Sequence, residues 1–475
     1  MNVGRNALGA ITLGRASRAL PSMATDLQVP LSGWGNTTVS WATVRRPARV
    51  EQVAELLSRR PGRGLIARGL GRSFGDAALN THGDVVDMTA LTGIDSLDFE
   101  QRCVTVEAGV SVDALLRLLI PLGWTLPVTP GTRFVTIAGA IANDVHGKNH
   151  FANGSFCDHL RSFELLTPTG SVVTADRTNN PDLFRATSGG LGLTGFILRA
   201  TVEVARVETC WMFGEVERVE NLDRLFDAMA TEHVEHDHAV AWIDGLARGA
   251  SLGRSVLTRA RHATLDDLPR SERASALALP RERSWNRLLG PASGRLFRQA
   301  LPALNEARFR RAPRERRSGL IGLSSFLYPL DRFPGWNKLF GRGGLVQYQF
   351  VVPAGGEHAI RSVLETLRTH GPPSVLTTLK RFRPGGSLLS FPLAGWCLAV
   401  DLPAAHPGLP RTLDRFDEIV AESGGRVYLA KDSRLRRDAF EAMYRDVPKW
   451  RSICNSVDPE HTMVSDLARR LGLKG

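Results

Sequence analysis

His146, Lys148 and His150 fall within five positions, directly behind the run Thr129-Pro-Gly-Thr-Arg-Phe-Val-Thr-Ile-Ala-Gly-Ala-Ile-Ala-Asn-Asp-Val145. An imidazole can take up or return a proton near neutrality, and an ammonium can hold an anion or stabilise charge that develops during a reaction. A lone histidine is more often a satisfied structural group. What sets this cluster apart is the stretch before it, whose small side chains allow backbone to approach a large flat ligand closely.

Two glycine patterns bear on nucleotide binding. Gly190-Leu-Gly-Leu-Thr-Gly195 matches G-x-G-x-x-G, but it is predicted to follow a helix and open a strand. That is the reverse of the strand-turn-helix order that sets a pyrophosphate on a helix N-terminus, so no Rossmann site is expected. Gly69-Leu-Gly-Arg-Ser-Phe-Gly75 does follow a strand, Leu65-Ile-Ala-Arg68, although no crossover helix comes after it. Its free N–H groups could form an anion-binding nest for a diphosphate, or the glycines could simply make a tight turn.

The elements around these motifs are legible from periodicity. Val50, Val53, Leu56 and Leu57 recur at helical spacing, and so do Leu115, Leu118 and Leu119 in a helix starting at Ser111. Short apolar strands are expected at residues 85–88, 103–106, 161–166, 171–174 and 196–204, the third and fourth joined as a hairpin through Pro168-Thr-Gly170. Asn180-Pro-Asp reads as a helix start with Asn180 as its cap. Beyond about residue 208, amphipathic helices mix with aromatic-rich strands such as 346–352 and 396–401, the texture of a second α+β domain.

Composition excludes several classes. The chain has 475 residues, 43% of them hydrophobic, and no apolar run near the roughly 20 residues that span a bilayer. Five scattered cysteines form no C-x-x-C pair, so neither a zinc site nor a disulfide framework is expected. The formal charge is +12, of which 11 − 3 = +8 lies between Arg281 and Arg317. Such a stretch is expected to be a mobile solvated loop or a contact for an anionic surface; too few aromatic residues interleave with it for a nucleic-acid binder. Met23 is read as the natural start, with the first 30 residues a disordered extension.

Arg68-Gly-Leu-Gly-Arg-Ser-Phe-Gly-Asp76, Pro130-Gly-Thr-Arg133, His146-Gly-Lys-Asn-His150 and Ala430-Lys-Asp-Ser-Arg434 closely resemble the decaprenylphosphoryl-β-D-ribose 2′-oxidase family, flavoproteins of the vanillyl-alcohol-oxidase type. The resemblance runs from about Gly33 to Leu471 and weakens between about 210 and 320. It implies a two-domain α+β fold: an FAD-binding domain from residues 31–208 and 426–475, and an inserted α+β substrate domain, 209–425, within which the charge density of 264–317 is read as a basic mobile loop. FAD would be bound without a covalent link, because related oxidases that tether the flavin place a histidine where Arg72 stands. No metal is implied.

Carried over residue by residue, the resemblance places the cofactor against Arg68, Gly69, Leu70, Gly71, Arg72, Ser73, Phe74, Gly75 and Asp76. It adds Gly131, Thr136, Ile137, Ala138, Gly139, Asn143, His146, Ile197 and Tyr428. Lys148, Trp242, Gln349, Lys380 and Cys397 are expected to contact the substrate. Hydride loss from a carbinol carbon requires the hydroxyl proton to be taken up and the reduced flavin anion to be stabilised. His146, or a water that it holds, is assigned the first role and Lys431 the second. Three positions depart from the family: Ala399 where some members have cysteine, Cys397 in place of asparagine, and Asn143 in place of cysteine.

The activity so implied is oxidation of the 2′-hydroxyl of a polyprenyl-phosphoryl-β-D-ribose to the keto sugar. A separate short-chain reductase would complete an epimerisation to the arabinose lipid. The enzyme is expected at a membrane surface as a peripheral protein. The alternative is a soluble sugar-lactone or alditol oxidase of the same flavoprotein type.

Overall fold

The computed structural model describes residues 27–59, 61–230, 236–280 and 291–474. Three sheets organise the α+β chain. The first has four strands in the order Gln28–Ser32, Val39–Arg45, Asp84–Asp87, Leu65–Arg68, the last three mutually parallel. Helix Val50–Ser58 makes the crossover, and its buried Val53, Leu56 and Leu57 pack with Leu65, Val86 and Met463. The second sheet is antiparallel and five-stranded: Ile94–Asp98, Cys103–Glu107, Phe196–Glu203, Leu160–Leu166, Val172–Asp176. Helix Val112–Leu119, capped by the Ser111 hydroxyl, buries Leu115, Leu116 and Leu119 in the same core as this sheet's Val104, Phe163 and Ala200.

The third sheet has eight antiparallel strands in the order Arg317–Gly322, Trp211–Val219, Ser255–His262, His238–Ile243, Leu376–Phe382, Gly395–Pro403, Leu345–Pro353, Arg426–Val427. Side chains alternate faces along a strand, so Tyr348, Phe350 and Val352 point one way and Gln347 and Gln349 the other. The first set, with Leu398, Val400 and Leu402, shares a core with helices Glu357–His370 and Leu409–Glu422. The opposite face is left for the site.

Several expectations need correction. Residues 28–30, expected in a disordered extension, belong to strand Gln28–Ser32, which pairs along its whole length with Val39–Thr43; residues 1–26 lie outside the described part. The basic segment 264–317 is not a loop: it contains two 3₁₀ turns and the 21-residue helix Pro291–Arg311, while 281–290 lie outside the described residues. Arg298, Leu301, Asn305 and Arg308 recur at helical spacing and dock the helix. Leu301 and Asn305 are buried, the Asn305 amide donates to Asp244 at 2.7 Å, and Arg298 donates to the Leu339 carbonyl. Asn180 stands at the N-cap of its helix as expected, but its side chain makes no cap bond; it adopts a left-handed conformation and its amide donates to the Thr174 carbonyl.

The C-terminal segment closes onto the first sheet. Met463 bridges to Leu65, and Arg470 pairs with both Asp76 (2.8 Å) and Asp432 (2.9 Å). No helix among the described residues is long and apolar enough to cross a membrane.

Candidate active site

A cavity of about 480 Å³ lies between the glycine loop, the 129–148 segment, the open face of the eight-stranded sheet and the 327–336 turn. The glycine loop is held near its C-terminal end. Phe74 donates its N–H to the Ala430 carbonyl (2.9 Å), Trp34 donates its own to Ser73 (2.8 Å), and Gly71 takes a left-handed φ of 65°. Gly69 packs so closely on Thr136 that a Cβ would sit 2.3 Å from the threonine hydroxyl. That hydroxyl in turn accepts from the Gly139 N–H and caps helix Ile137–Ala142.

Of the residues assigned a catalytic, cofactor or substrate role, all but four line this cavity; His150, of the same cluster, does not line it either and accepts from the Arg383 N–H. Gly75 is a packing glycine, since a Cβ there would stand 1.9 Å from the Asp432 carbonyl oxygen. Asp76 accepts from Arg470 and clamps the C-terminal segment. Ile137 points into the core beneath the five-stranded sheet. Cys397 is fully buried in a cluster with Phe382, Phe391 and Tyr428, so it contacts the Gln349 amide (3.3 Å) rather than the cavity. Ala399, two residues on and opposite Gln349, lines the wall instead.

His146 is buried, with Phe382, Phe391 and Tyr428 within 5.5 Å of its ring centroid. Gln349 Nε2 donates to its Nε2 at 2.7 Å, so the ring proton belongs on Nδ1. Burial first, then the charges of Lys380, His150 and Lys431, hold the imidazole well below its ordinary pKa, and it is therefore neutral. Tyr428 donates to the Asn143 carbonyl at 2.8 Å, joining the C-terminal segment to this wall.

Among the described residues six cations line the cavity, Arg68, Arg72, Lys148, Arg308, Lys380 and Lys431, against one carboxylate, Asp331. Burial lowers Lys431 to about 7, with Lys380 and Arg72 adding to the fall and Asp401 opposing it. Lys148, which donates to the Phe326 carbonyl, is also lowered to about 7 by burial and by Lys380 and Arg308. Lys380 thus acts on both ammonium groups, Arg72 on Lys431 and Arg308 on Lys148. Lys431 Nζ sits 3.9 Å from the Phe74 ring centroid, and the Arg72 guanidinium stacks 4.0 Å from that of Trp34. Asp401 accepts from Gln347 at 2.5 Å through one oxygen, while its other oxygen is buried without a hydrogen bond.

Trp34, Arg308, Asp331, Trp336, Gln347 and Thr378 also line the cavity and were not anticipated from sequence. Only Arg308 left a trace there, the helical spacing of Leu301, Asn305 and Arg308.

The chain matches the FAD binding domain family over residues 41–176. It is 40% identical over 450 residues to a decaprenylphosphoryl-beta-D-ribose oxidase of Mycolicibacterium smegmatis, covering 93% of this chain and 97% of that protein. An uncharacterized protein in the mprA 5′ region of Streptomyces coelicolor is 41% identical over 77% of this chain and 100% of its own length. An alditol oxidase from a Streptomyces species is 30% identical over only 31% of this chain and 35% of its own.

Proposed function

Because the chain belongs to the decaprenylphosphoryl-β-D-ribose oxidase family of FAD-binding, vanillyl-alcohol-oxidase type proteins, we propose that it oxidises the 2′-hydroxyl of a polyprenyl-phosphoryl-β-D-ribose to the 2′-keto sugar. The observation that carries this reading is the pairing, in one cavity, of a neutral buried imidazole, His146, with the cations Lys380 and Lys431.

The residues present fit the cofactor. The buried Arg72 Nε and Asn143 Oδ1 have no hydrogen-bond partner, and a Cβ at Gly131 would meet nothing within 4 Å. Arg68 to Phe74 would hold the diphosphate, and the 129–146 segment with Tyr428 and Lys431 would hold the isoalloxazine. FAD, when bound, supplies the acceptor for the hydride that leaves the carbinol carbon. His146 takes up the hydroxyl proton, which its neutral state permits, and Lys431 provides positive charge where negative charge develops. The link to FAD is non-covalent, since an arginine occupies the loop position.

The FAD-binding domain comprises residues 31–208 and 426–475, supported by the ties from Met463 to Leu65 and from Arg470 to Asp76. Residues 209–425 form the substrate domain. Lys148, Trp242, Gln349 and Lys380 face the sugar phosphate. The keto product is consumed by a short-chain reductase, and the enzyme works at a membrane surface where its lipid substrate resides.

The test is anaerobic mixing of the purified yellow protein with a short-chain prenyl-phosphoryl ribose, watched at the flavin absorbance. Bleaching by this substrate with none by sugar lactones or alditols is expected. The reverse preference would establish the soluble-oxidase reading in its place.

A further inference from the structure

We infer that Arg308, standing on Trp242, is the residue that binds the phosphodiester of the substrate, and that helix Pro291–Arg311 exists in this fold to carry it there. The inference rests on the proposed reaction for the identity of the anion. The Arg308 guanidinium lies 4.6 Å from the Trp242 ring centroid and lines the cavity. Among the described residues it makes no ion pair and no hydrogen bond. Its neighbours are spoken for: Arg310 pairs with Glu306, Arg254 with Asp244 and Glu306, and Arg298 with the Leu339 carbonyl. A guanidinium stacked by its face on an indole keeps its N–H edge free, and that planar edge matches two oxygens of a phosphate.

The surroundings call for an anion at the same place. Arg308, Lys148 and Lys380 line the cavity together, and the first and last both lower the Lys148 pKa. Val240, Val256 and Leu376 supply apolar wall beside them. Asp331, the one lining carboxylate among the described residues, accepts from the Arg133 N–H and acts on Arg72 of the glycine loop. Uncompensated like charges along an apolar wall are costly, and an entering anion removes that cost. The diphosphate of the cofactor is assigned to the glycine loop at the far end, which leaves this end for a second anion.

Spacing agrees. Trp242 faces Thr378, Thr378 faces Ala399, and Ala399 faces Gln349, the partner of His146. Three strand spacings of about 4.8 Å separate Trp242 from Gln349. Once the side chains reach inward, that interval fits a pentose with its phosphate, the sugar at His146 and the phosphate at Arg308.

The experiment uses the holoenzyme and two substrates, a short-chain prenyl-phosphoryl riboside and the matching alkyl riboside without phosphate. In Arg308→Ala the preference for the phosphorylated substrate, as kcat/KM, should fall by roughly 10- to 100-fold through KM, the size of a lost charged hydrogen bond. Arg308→Lys should recover part of it. Calorimetry with farnesyl phosphate, which has no sugar, should show weaker binding in Arg308→Ala by a similar factor, with flavin absorbance confirming that the variant folds. An unchanged preference, or an equal loss on both substrates, overturns the inference. If the wild type oxidises neither substrate yet binds farnesyl phosphate in an Arg308-dependent way, the proposed reaction fails and the anion site stands.

Discussion

Gln349 donates its side-chain amide to Nε2 of His146 at 2.7 Å, and so ties the open face of the eight-stranded sheet to the segment behind helix Ile137–Ala142. The bond leaves the basic lone pair of His146 on the atom that Gln349 occupies. A substrate hydroxyl therefore has to replace or share that donor when it delivers its proton. His146→Ala should retain FAD and slow flavin reduction by on the order of 10²- to 10⁴-fold. Gln349→Leu should cost less, because the imidazole itself remains. Burial holds His146 neutral well below its usual pKa, so the base stays competent as pH falls from 8 to 6. Stopped-flow rates should show no His146-dependent loss across that range, and a limb near pH 6.5 that vanishes in His146→Ala would show the imidazole titrating at its ordinary value and overturn its being held neutral by burial.

Lys431 and Asp401 lead to a second expectation. Lys431→Ala should leave FAD bound and lower the rate of flavin reduction by roughly 10²- to 10³-fold, the effect of deleting one preorganised electrostatic group. Burial lowers the Lys431 pKa to about 7, so at pH 8 the amine is mostly uncharged before an anion binds. An anion entering the cavity favours the ammonium and raises that pKa. FAD binding at pH 8 should therefore take up protons, and affinity should decline as pH rises above 7. Titration calorimetry in two buffers of different ionisation enthalpy measures the uptake. Asp401 is the carboxylate that supports the Lys431 charge, so Asp401→Asn should move the onset of uptake to lower pH.

The flavin should be released by acid. Arg72 stacks on Trp34 at the loop position and offers no nucleophile for a covalent bond. Acid precipitation should leave a yellow supernatant and a colourless pellet. Colour retained in the pellet of wild type, but not of His146→Ala, would locate a covalent link at His146.

How much of this was legible follows from the range of the contacts. Strands such as Leu345–Pro353 and Gly395–Pro403 announce themselves because neighbouring side chains alternate between a helix-covered face and the cavity. The glycine loop and the His146 cluster are local in sequence, and Arg68 to Phe74 line the cavity together with His146 and Lys148. Parity along a strand, however, cannot separate Cys397 from Ala399. What buries Cys397 is the Phe382, Phe391 and Tyr428 cluster, assembled from three distant segments. Asp76 likewise looked like part of a phosphate loop, yet its partner, Arg470, lies 394 residues away. The helix Pro291–Arg311 was hidden by its own charge. It docks through an amide, a carbonyl contact and stacked guanidinium groups rather than an apolar stripe, and hydrophobic periodicity is blind to that.

The arginines of this helix and of the segment that follows it divide between two tasks, which bears on the membrane. Arg298 donates to the Leu339 carbonyl and Arg308 stands on Trp242 at the cavity, whereas the exposed Arg311, Arg314 and Arg317 do not line it, and Leu304 and Phe333 add exposed apolar surface in the same part of the chain. Basic side chains at an anionic lipid surface contribute about 1 kcal/mol each, screened by salt, and exposed apolar groups can enter the headgroup boundary. A substrate whose tail lies in the bilayer would then reach the Arg308 end of the cavity without leaving the interface. Co-sedimentation with vesicles containing phosphatidylglycerol should weaken as salt rises. The triple change Arg311→Gln, Arg314→Gln and Arg317→Gln should reduce partition by on the order of 10²-fold, three contributions together. Turnover of a short, soluble prenyl-phosphoryl ribose should be kept, since none of the three lines the cavity. Equal sedimentation of wild type and triple variant would assign these arginines to solvent and leave membrane contact to another surface.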